Sequence, residues 1–356
     1  MKETGFQHDR NRERAKTERT ILIARIVFLT MILAGIVLLV WAWDQRSNQE
    51  APTASAGQEI KAPPAGKVAV RFGDKNYEKR DGLEVTLLIG TDVSSEELAQ
   101  ADSENPVYSQ SDMVILIVAD PAAKSFTAVH INRDTMCSVP ILTDDTGAEL
   151  GVKYPAQLAA AYAYGGPTES TRSRNVIRAV QSLMPEADIR HYVTLTMDCV
   201  ADLNDMVGGV ELQVLQDIDD TLIAGKTVRL KGAQALKYVQ ARGSLEDSSN
   251  LARMERQKQF LMAFKDQFQT AASKDSSFVL ESLLKINNYM SSDCSVQKLS
   301  DLVNTLMESE MEDYRTLQGE AKVGDSFMEG MMFMEYWPDE ADLQQIRLDL
   351  FYREIQ

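Results

Sequence analysis

From Ile26 to Trp43 the chain reads I-V-F-L-T-M-I-L-A-G-I-V-L-L-V-W-A-W, without a single charge. Coiled as a helix, about 18 such residues rise roughly 27 Å, close to the thickness of a bilayer's hydrocarbon core. Trp41 and Trp43 stand where an aromatic residue suits the far interface. Lys2, Arg10, Arg12, Arg14, Lys16, Arg19 and Arg25 all precede the run, against Glu3, Asp9, Glu13 and Glu18. Positive charge stays inside, so the expected arrangement is a cytoplasmic basic tail (1–25), a transmembrane anchor (26–43) and everything after Asp44 outside. A cleaved signal peptide is the competing reading, because Ala54-Ser55-Ala56 resembles a peptidase site and would leave a mature N-terminus near Gly57. Against it, the apolar run is longer than a usual signal core and that site lies well beyond its end.

The stretch from Asp44 to Gly66 is rich in Ala, Pro, Ser and Gln without periodicity, which reads as a linker (44–66) before an exported domain (67–356). The formal net charge is −16. The N-terminal flank is net basic, so the exported part is more acidic still. Such a domain has no general affinity for nucleic acid, and any anion site in it must be a local arginine cluster. The three cysteines, Cys137, Cys199 and Cys294, are an odd number and match no metal-site spacing. A disulfide is open, but the spacing selects no pair.

Three short apolar runs, Val85–Gly90, Met113–Ala119 and Phe126–Ile131, have the character of buried strands. Polar residues sit at their ends: Thr91-Asp92, Ser111-Asp112 and Asn132-Arg133-Asp134-Thr135. A short hairpin is expected from strands Val68–Phe72 and Asn76–Glu84, and further strands over His191–Met197 and Val210–Val214. Helices are expected over Pro155–Tyr164, Glu169–Met184, Asp198–Val207, Gly232–Ala241, Asn250–Gln269, Phe278–Tyr289 and Ser295–Glu308. A last helix opens at Pro338-Asp339-Glu340 and runs to Phe351. This alternation predicts an α/β fold, a mixed central sheet with helices on both faces and a site along the rim.

Several local patterns carry no chemistry. Gly225-Lys226-Thr227 lacks the earlier glycine of a phosphate-binding loop, since Asp220 stands there. The acidic turn Asp217–Asp220 has no glycine or distal Glu in calcium-loop register. Neither His130 nor His191 lies by a nucleophile motif, which removes support for a hydrolase triad. Asp92 and Asp112 read either as turn formers or as ligands of a divalent metal.

The segment Q-A-R-G-S-L-E-D-S-S-N-L-A-R-M-E-R-Q (Gln240–Gln257) is the richest. Arg253, Arg256 and Gln257 fall at i, i+3 and i+4, so they share one helical face, and Arg242 lies just before it. Guanidinium forks suit phosphate oxygens, which makes a pyrophosphate an attractive ligand. The plain alternative is a solvated face pairing with Glu246, Asp247 and Glu255.

In order and spacing, L-L-I-G-T-D (Leu87–Asp92), S-D-M-V-I-L (Ser111–Leu116), I-N-R-D-T (Ile131–Thr135), A-A-Y-A-Y-G-G (Ala160–Gly166), D-L-N-D-M-V-G-G-V (Asp202–Val210), G-x-x-A-L-x-Y-V (Gly232–Val239) and A-R-M-E-R-Q (Ala252–Gln257) resemble the LytR-CpsA-Psr family. The resemblance covers nearly the whole exported domain. It implies a membrane-anchored phosphotransferase of the bacterial cell wall, facing outward from the plasma membrane. Such enzymes move a teichoic acid or capsule polymer from an undecaprenyl-pyrophosphate carrier onto peptidoglycan. By the same resemblance, Asp92 and Asp112 would hold Mg²⁺, and Arg133, Arg242, Arg253 and Arg256 would bind the pyrophosphate, assisted by Gln257. Asp134 would orient Arg133 or act as general base; Arg133, Asp134 and Arg253 are the expected catalytic group. Three positions depart from the pattern: Gln110 and Gln240 stand where the family often has Arg, and Asn250 where it usually has Asp. They leave two other readings open, a non-catalytic protein that binds lipid-linked polymer and a polyprenyl-pyrophosphate hydrolase.

Overall fold

The run around Val85–Gly90 becomes an inner strand of a six-stranded mixed sheet, seen in a computed structural model that describes residues 69–100, 109–142, 149–242, 245, 247–275, 277–326 and 330–355. The expected tail, anchor, linker and alternative cleavage site all lie outside the described residues. Among those described, no helix is long and apolar enough to cross a membrane.

In chain order the elements are β1 (Ala69–Phe72), β2 (Lys75–Lys79), β3 (Glu84–Thr91), α1 (Ser95–Ala99), β4 (Ser111–Asp120), β5 (Ser125–Ile131), β6 (Met136–Leu142) and β7 (Glu149–Gln157). There follow α2 (Ala160–Ala163), α3 (Glu169–Leu183), β8 (Ile189–Leu195), α4 (Cys199–Met206), β9 (Glu211–Gln213), β10 (Thr227–Arg229), α5 (Ala233–Gln240) and α6 (Asn250–Ala272). The rest comprises α7 (Phe278–Ile286), β11 (Met290–Ser292), α8 (Val296–Glu308), β12 (Glu310–Thr316), β13 (Gly319–Gly324), β14 (Phe333–Pro338), α9 (Glu340–Phe351) and β15 (Tyr352–Ile355).

The sheet runs β11-β8-β3-β4-β5-β12. β4 is antiparallel to both β3 and β5, whereas β8 runs parallel to β3 and β12 parallel to β5. Every residue of β5 is buried, as expected for a strand covered on both faces. Alternate residues Leu87, Ile89, Leu116 and Val129 bury one face against Val176 and Val180 of α3 and Ile346 and Leu350 of α9. On the other face, Leu88 and Met113 line a cavity together with Leu203, Val239, Phe260 and Phe264 of α4, α5 and α6. Helices therefore cover both faces, as the alternation predicts. Two buried asparagines lock helices to neighbouring backbone. Asn175 of α3 donates to Pro140 O at 2.9 Å and Ala161 O at 2.8 Å. Asn204 of α4 donates to Leu230 O at 3.0 Å and accepts from Val210 N at 2.8 Å.

The largest departure from the sequence reading is at 149–163. Of the helix expected over Pro155–Tyr164, Ala160–Ala163 is helical, whereas Pro155–Gln157 form the end of the strand β7, paired antiparallel with β6. Pro140 and Pro155 both fit because a two-stranded sheet is all edge and needs no inner N–H from them. Strands β12 to β15 also escaped the sequence reading: β12, β13 and β15 carry no apolar run, and the apolar residues of β14 (Phe333, Met334, Tyr336 and Trp337) follow no alternation.

Candidate active site

The site grows from a slip in register. Gly90 pairs with Met113 and Thr91 with Ser111, so Asp112 is an extra residue in β4. Such a bulge re-aims its side chain, and here it turns Asp112 towards two arginines. Arg133, on the loop after β5, donates from Nη1 to Asp112 Oδ1. Arg253, on the first turns of α6, donates from Nη1 to Oδ2 at 2.8 Å and from Nη2 to the Asp112 carbonyl at 3.3 Å. Ser249 caps α6 by accepting from Ala252 N at 3.1 Å, which starts the helix where Arg253 reaches the strand end.

Amide side chains hold these guanidinium groups from behind. Gln110 Oε1 accepts from Arg133 Nη2, and Asn250 Oδ1 accepts from Arg253 Nη2. Asn250 in turn donates to Asn132 Oδ1, which also takes the Asp134 N–H at 2.9 Å. Two of the three departures from the family pattern thus serve as fixed acceptors for arginine. The third, Gln240, donates to the Met197 sulfur at 3.0 Å instead. Asn132 was quoted only as part of a motif; its bridging role depends on an element 118 residues away.

Asp134 is buried, with its carboxylate 3.5 Å from Arg133 Nε. Burial pushes its pKa up, disfavouring the charged carboxylate, and the charges of Arg133, Arg242 and Arg253 oppose that shift. Burial also lowers the ionisation of Arg133, and takes Arg253 down to about 10 with the help of the Arg242 charge. Mutual repulsion of cations in a dry site is the condition an anion relieves. The β13–β14 hairpin braces this loop: Tyr336 N donates to Asp134 O at 2.8 Å, and Gln157 Nε2 reaches both Asp134 Oδ1 and the Met334 carbonyl.

The remaining expected residues divide. Arg242 is exposed and makes no ion pair with another described residue, but its charge acts on Arg133, Arg253 and Asp134. Arg256 is fully buried and turned elsewhere: Nε donates to Tyr238 O at 3.1 Å and Nη2 to Ala241 O, closing the carbonyl end of α5. Gln257 donates to Val239 O at 3.4 Å. The structure thus gathers Asp112, Arg133, Asp134 and Arg253 and gives Arg256 to helix capping. Arg253 and Arg256 are buried, so the solvated-face reading fails. Four buried polar atoms here lack a hydrogen bond among the described residues: Arg133 Nε, Arg253 Nε, Arg256 Nη1 and Gln257 Oε1. Those on Arg133 and Arg253 are N–H donors beside Asp112, which fits an anionic ligand.

For a metal, Asp92 and Asp112 offer oxygen ligands suited to a hard cation such as Mg²⁺. Asp92 Oδ1 accepts from Gln110 N at 2.7 Å and Ser109 Oγ at 3.1 Å, while Oδ2 has no hydrogen bond among the described residues. Both Asp112 oxygens carry a guanidinium, so an arginine must let go before Asp112 could ligate. The donor chemistry fits on that condition.

Beneath the cluster lies an apolar cavity of about 120 Å³ between the sheet and α4, α5 and α6. Asp112, Arg253 and Gln257 stand at one side, and Leu88, Leu203, Leu236, Phe260 and Phe264 line the rest.

The fold is thus a three-layer α/β domain that sets a cluster of buried arginines at its strand ends beside an apolar cavity. The chain belongs to the LytR_cpsA_psr family, whose model matches residues 44–350. It is 28% identical over 173 residues to polyisoprenyl-teichoic acid–peptidoglycan teichoic acid transferase TagV of Bacillus subtilis, covering 46% of this chain and 40% of that protein. With the transferase of the same description, TagU of Enterococcus faecalis, it shares 27% identity over 274 residues, 74% of this chain and 77% of the relative. The fold matches crystalline B. subtilis TagV with a TM-score of 0.55 at 22% identity, over 76% of this chain and 96% of that one. It also matches TagT bound to LI-WTA with a TM-score of 0.54 at 18% identity, over 76% and 90%.

Proposed function

We propose that this chain is a membrane-anchored phosphotransferase of the outer face of the plasma membrane. It moves a glycopolymer of teichoic acid or capsule type from undecaprenyl pyrophosphate to peptidoglycan. The observation that carries this reading is the set of buried, part-satisfied guanidinium groups at the mouth of an apolar cavity, the pairing that a lipid pyrophosphate needs.

In this reading a peptidoglycan hydroxyl oxygen attacks the polymer-linked phosphorus. The bond from that phosphorus to the bridging oxygen breaks, and undecaprenyl phosphate leaves with the electron pair. Arg133, Arg242 and Arg253 neutralise charge on the equatorial and leaving oxygens. Asp134 takes the hydroxyl proton, and Arg256 positions α5 and α6 without touching substrate. Asp92 and Asp112 would hold Mg²⁺, which when bound supplies further charge neutralisation at the pyrophosphate.

Arg133→Ala and Arg253→Ala are each expected to abolish polymer release from a lipid-pyrophosphate donor by about 10²–10³-fold or more, with the fold kept by circular dichroism. Full wild-type turnover in chelator would remove the metal from the scheme. The arginines held by an internal carboxylate also suit a protein that binds lipid-linked polymer without transfer; tight binding of the donor with no peptidoglycan product would establish that instead. Release of free polymer phosphate to water would mark a hydrolase.

A further inference from the structure

A second constellation lies towards the other end of β8. His191 pairs with Thr86 in register, whereas Leu195 pairs with Gly90 beside the cleft. The turn after β11 brings Asp293 and Cys294 to His191, about a hundred residues away in sequence and thus invisible to any spacing rule. His191 Nδ1 is 3.5 Å from Asp293 Oδ1, and Cys294 Sγ is 3.9 Å from the same oxygen. The ligand atoms of all three lie within 4.8 Å of one another.

Tetrahedral zinc, with nitrogen and oxygen at about 2.0–2.2 Å and sulfur at about 2.3 Å, sets neighbouring ligand atoms roughly 3.3–3.6 Å apart. The two separations to Asp293 Oδ1, 3.5 and 3.9 Å, lie within a few tenths of an ångström of that range, and closing the third, which is no more than 4.8 Å, takes a rotation of the part-exposed Cys294 side chain. His191 Nδ1 is buried and has no hydrogen bond among the described residues. The carboxylate is held in place by Tyr192 N at 3.1 Å on Oδ1 and by Arg174 at 3.6 Å from Oδ2, the kind of outer support that orients a metal ligand. Cys294 is a free thiol.

We propose that His191, Asp293 and Cys294 form a zinc site, with water as the fourth ligand. Binding transfers the Cys294 thiol proton to solvent and changes no oxidation state. The site clips the β11–α8 turn to β8 at the sheet edge, so its effect is on stability. It does not depend on the transferase reading.

The test uses the full chain titrated with Co²⁺, a zinc substitute whose thiolate complexes absorb in the near ultraviolet. One equivalent should produce a thiolate-to-cobalt band that Zn²⁺ displaces. Cys294→Ser should abolish the band, and His191→Gln should weaken cobalt binding at least about tenfold. Zn²⁺ should raise the melting temperature of the wild type and of neither variant. Cys294 is part-exposed at the margin of the cluster around Leu283 and Leu299, so Ser there is a small change, and a native circular-dichroism spectrum qualifies each variant. A folded wild type without the band overturns the site, as does a band or a zinc-induced melting shift that survives in Cys294→Ser.

Discussion

Arg253 and Arg256 sit one helical turn apart on α6, yet they do different work. Arg253 reaches the bulged Asp112, whereas Arg256 closes the last carbonyls of α5. Periodicity places both on one face; which neighbour each meets depends on the strand and helix packed above them. Arg256→Lys keeps the charge but loses the planar fork, so it should lower stability by about 1–3 kcal/mol in thermal melts and change pyrophosphate affinity less than threefold. Arg253→Lys should do the reverse, weakening affinity more than stability. The Asp134 carboxyl is raised by burial, so as a base it becomes available only as pH climbs above the ordinary Asp range. Transfer should therefore rise with pH through that raised ionisation and then level off. Asp134→Asn should flatten the profile as well as slow the reaction, and a profile unchanged in shape would exclude Asp134 as the base.

The inner strands and long helices were legible because their signals are local: apolar runs for β3, β4 and β5, and 3.6-residue periodicity with caps for α3 and α6. The strand Glu149–Gln157 was not, because it has neither an apolar run nor alternation and is fixed by pairing with β6, a tertiary effect that also takes Pro155–Gln157 from the expected helix. The same limit applied to the site. Asp112, Arg133 and Arg253 were named from sequence, but the bulge that joins them and the bridging Asn132 belong to the assembled chain. Element junctions also make clear targets. Asn204→Ala leaves Val210 N and Leu230 O without partners, and should cost about 1–3 kcal/mol for each orphaned group, read from urea melts. Gly90 lines the apolar cavity, and a Cβ built there lies 3.2 Å from that of Met113. Gly90→Val should fill the cavity and raise KM for a long-tailed donor about tenfold or more, with less effect on a short-tailed one.

Taken as a whole, the molecule is acidic at −16, yet its cleft is cationic, so attraction to the donor is confined to a few side chains. The cavity of about 120 Å³ is smaller than the roughly 300–1,000 Å³ common for ligand pockets, so under the proposed function a long lipid tail would have to extend beyond it. At rest, Asp112 occupies the place of a ligand, holding Arg133 and Arg253 like a stopper. Displacing it sets a toll by valence. Chloride or acetate merely exchanges one negative charge for another and gains nothing. A pyrophosphate brings more charge than the carboxylate it evicts, so the resting chain should stay indifferent to the monovalent anions around it and yield only to a multiply charged guest.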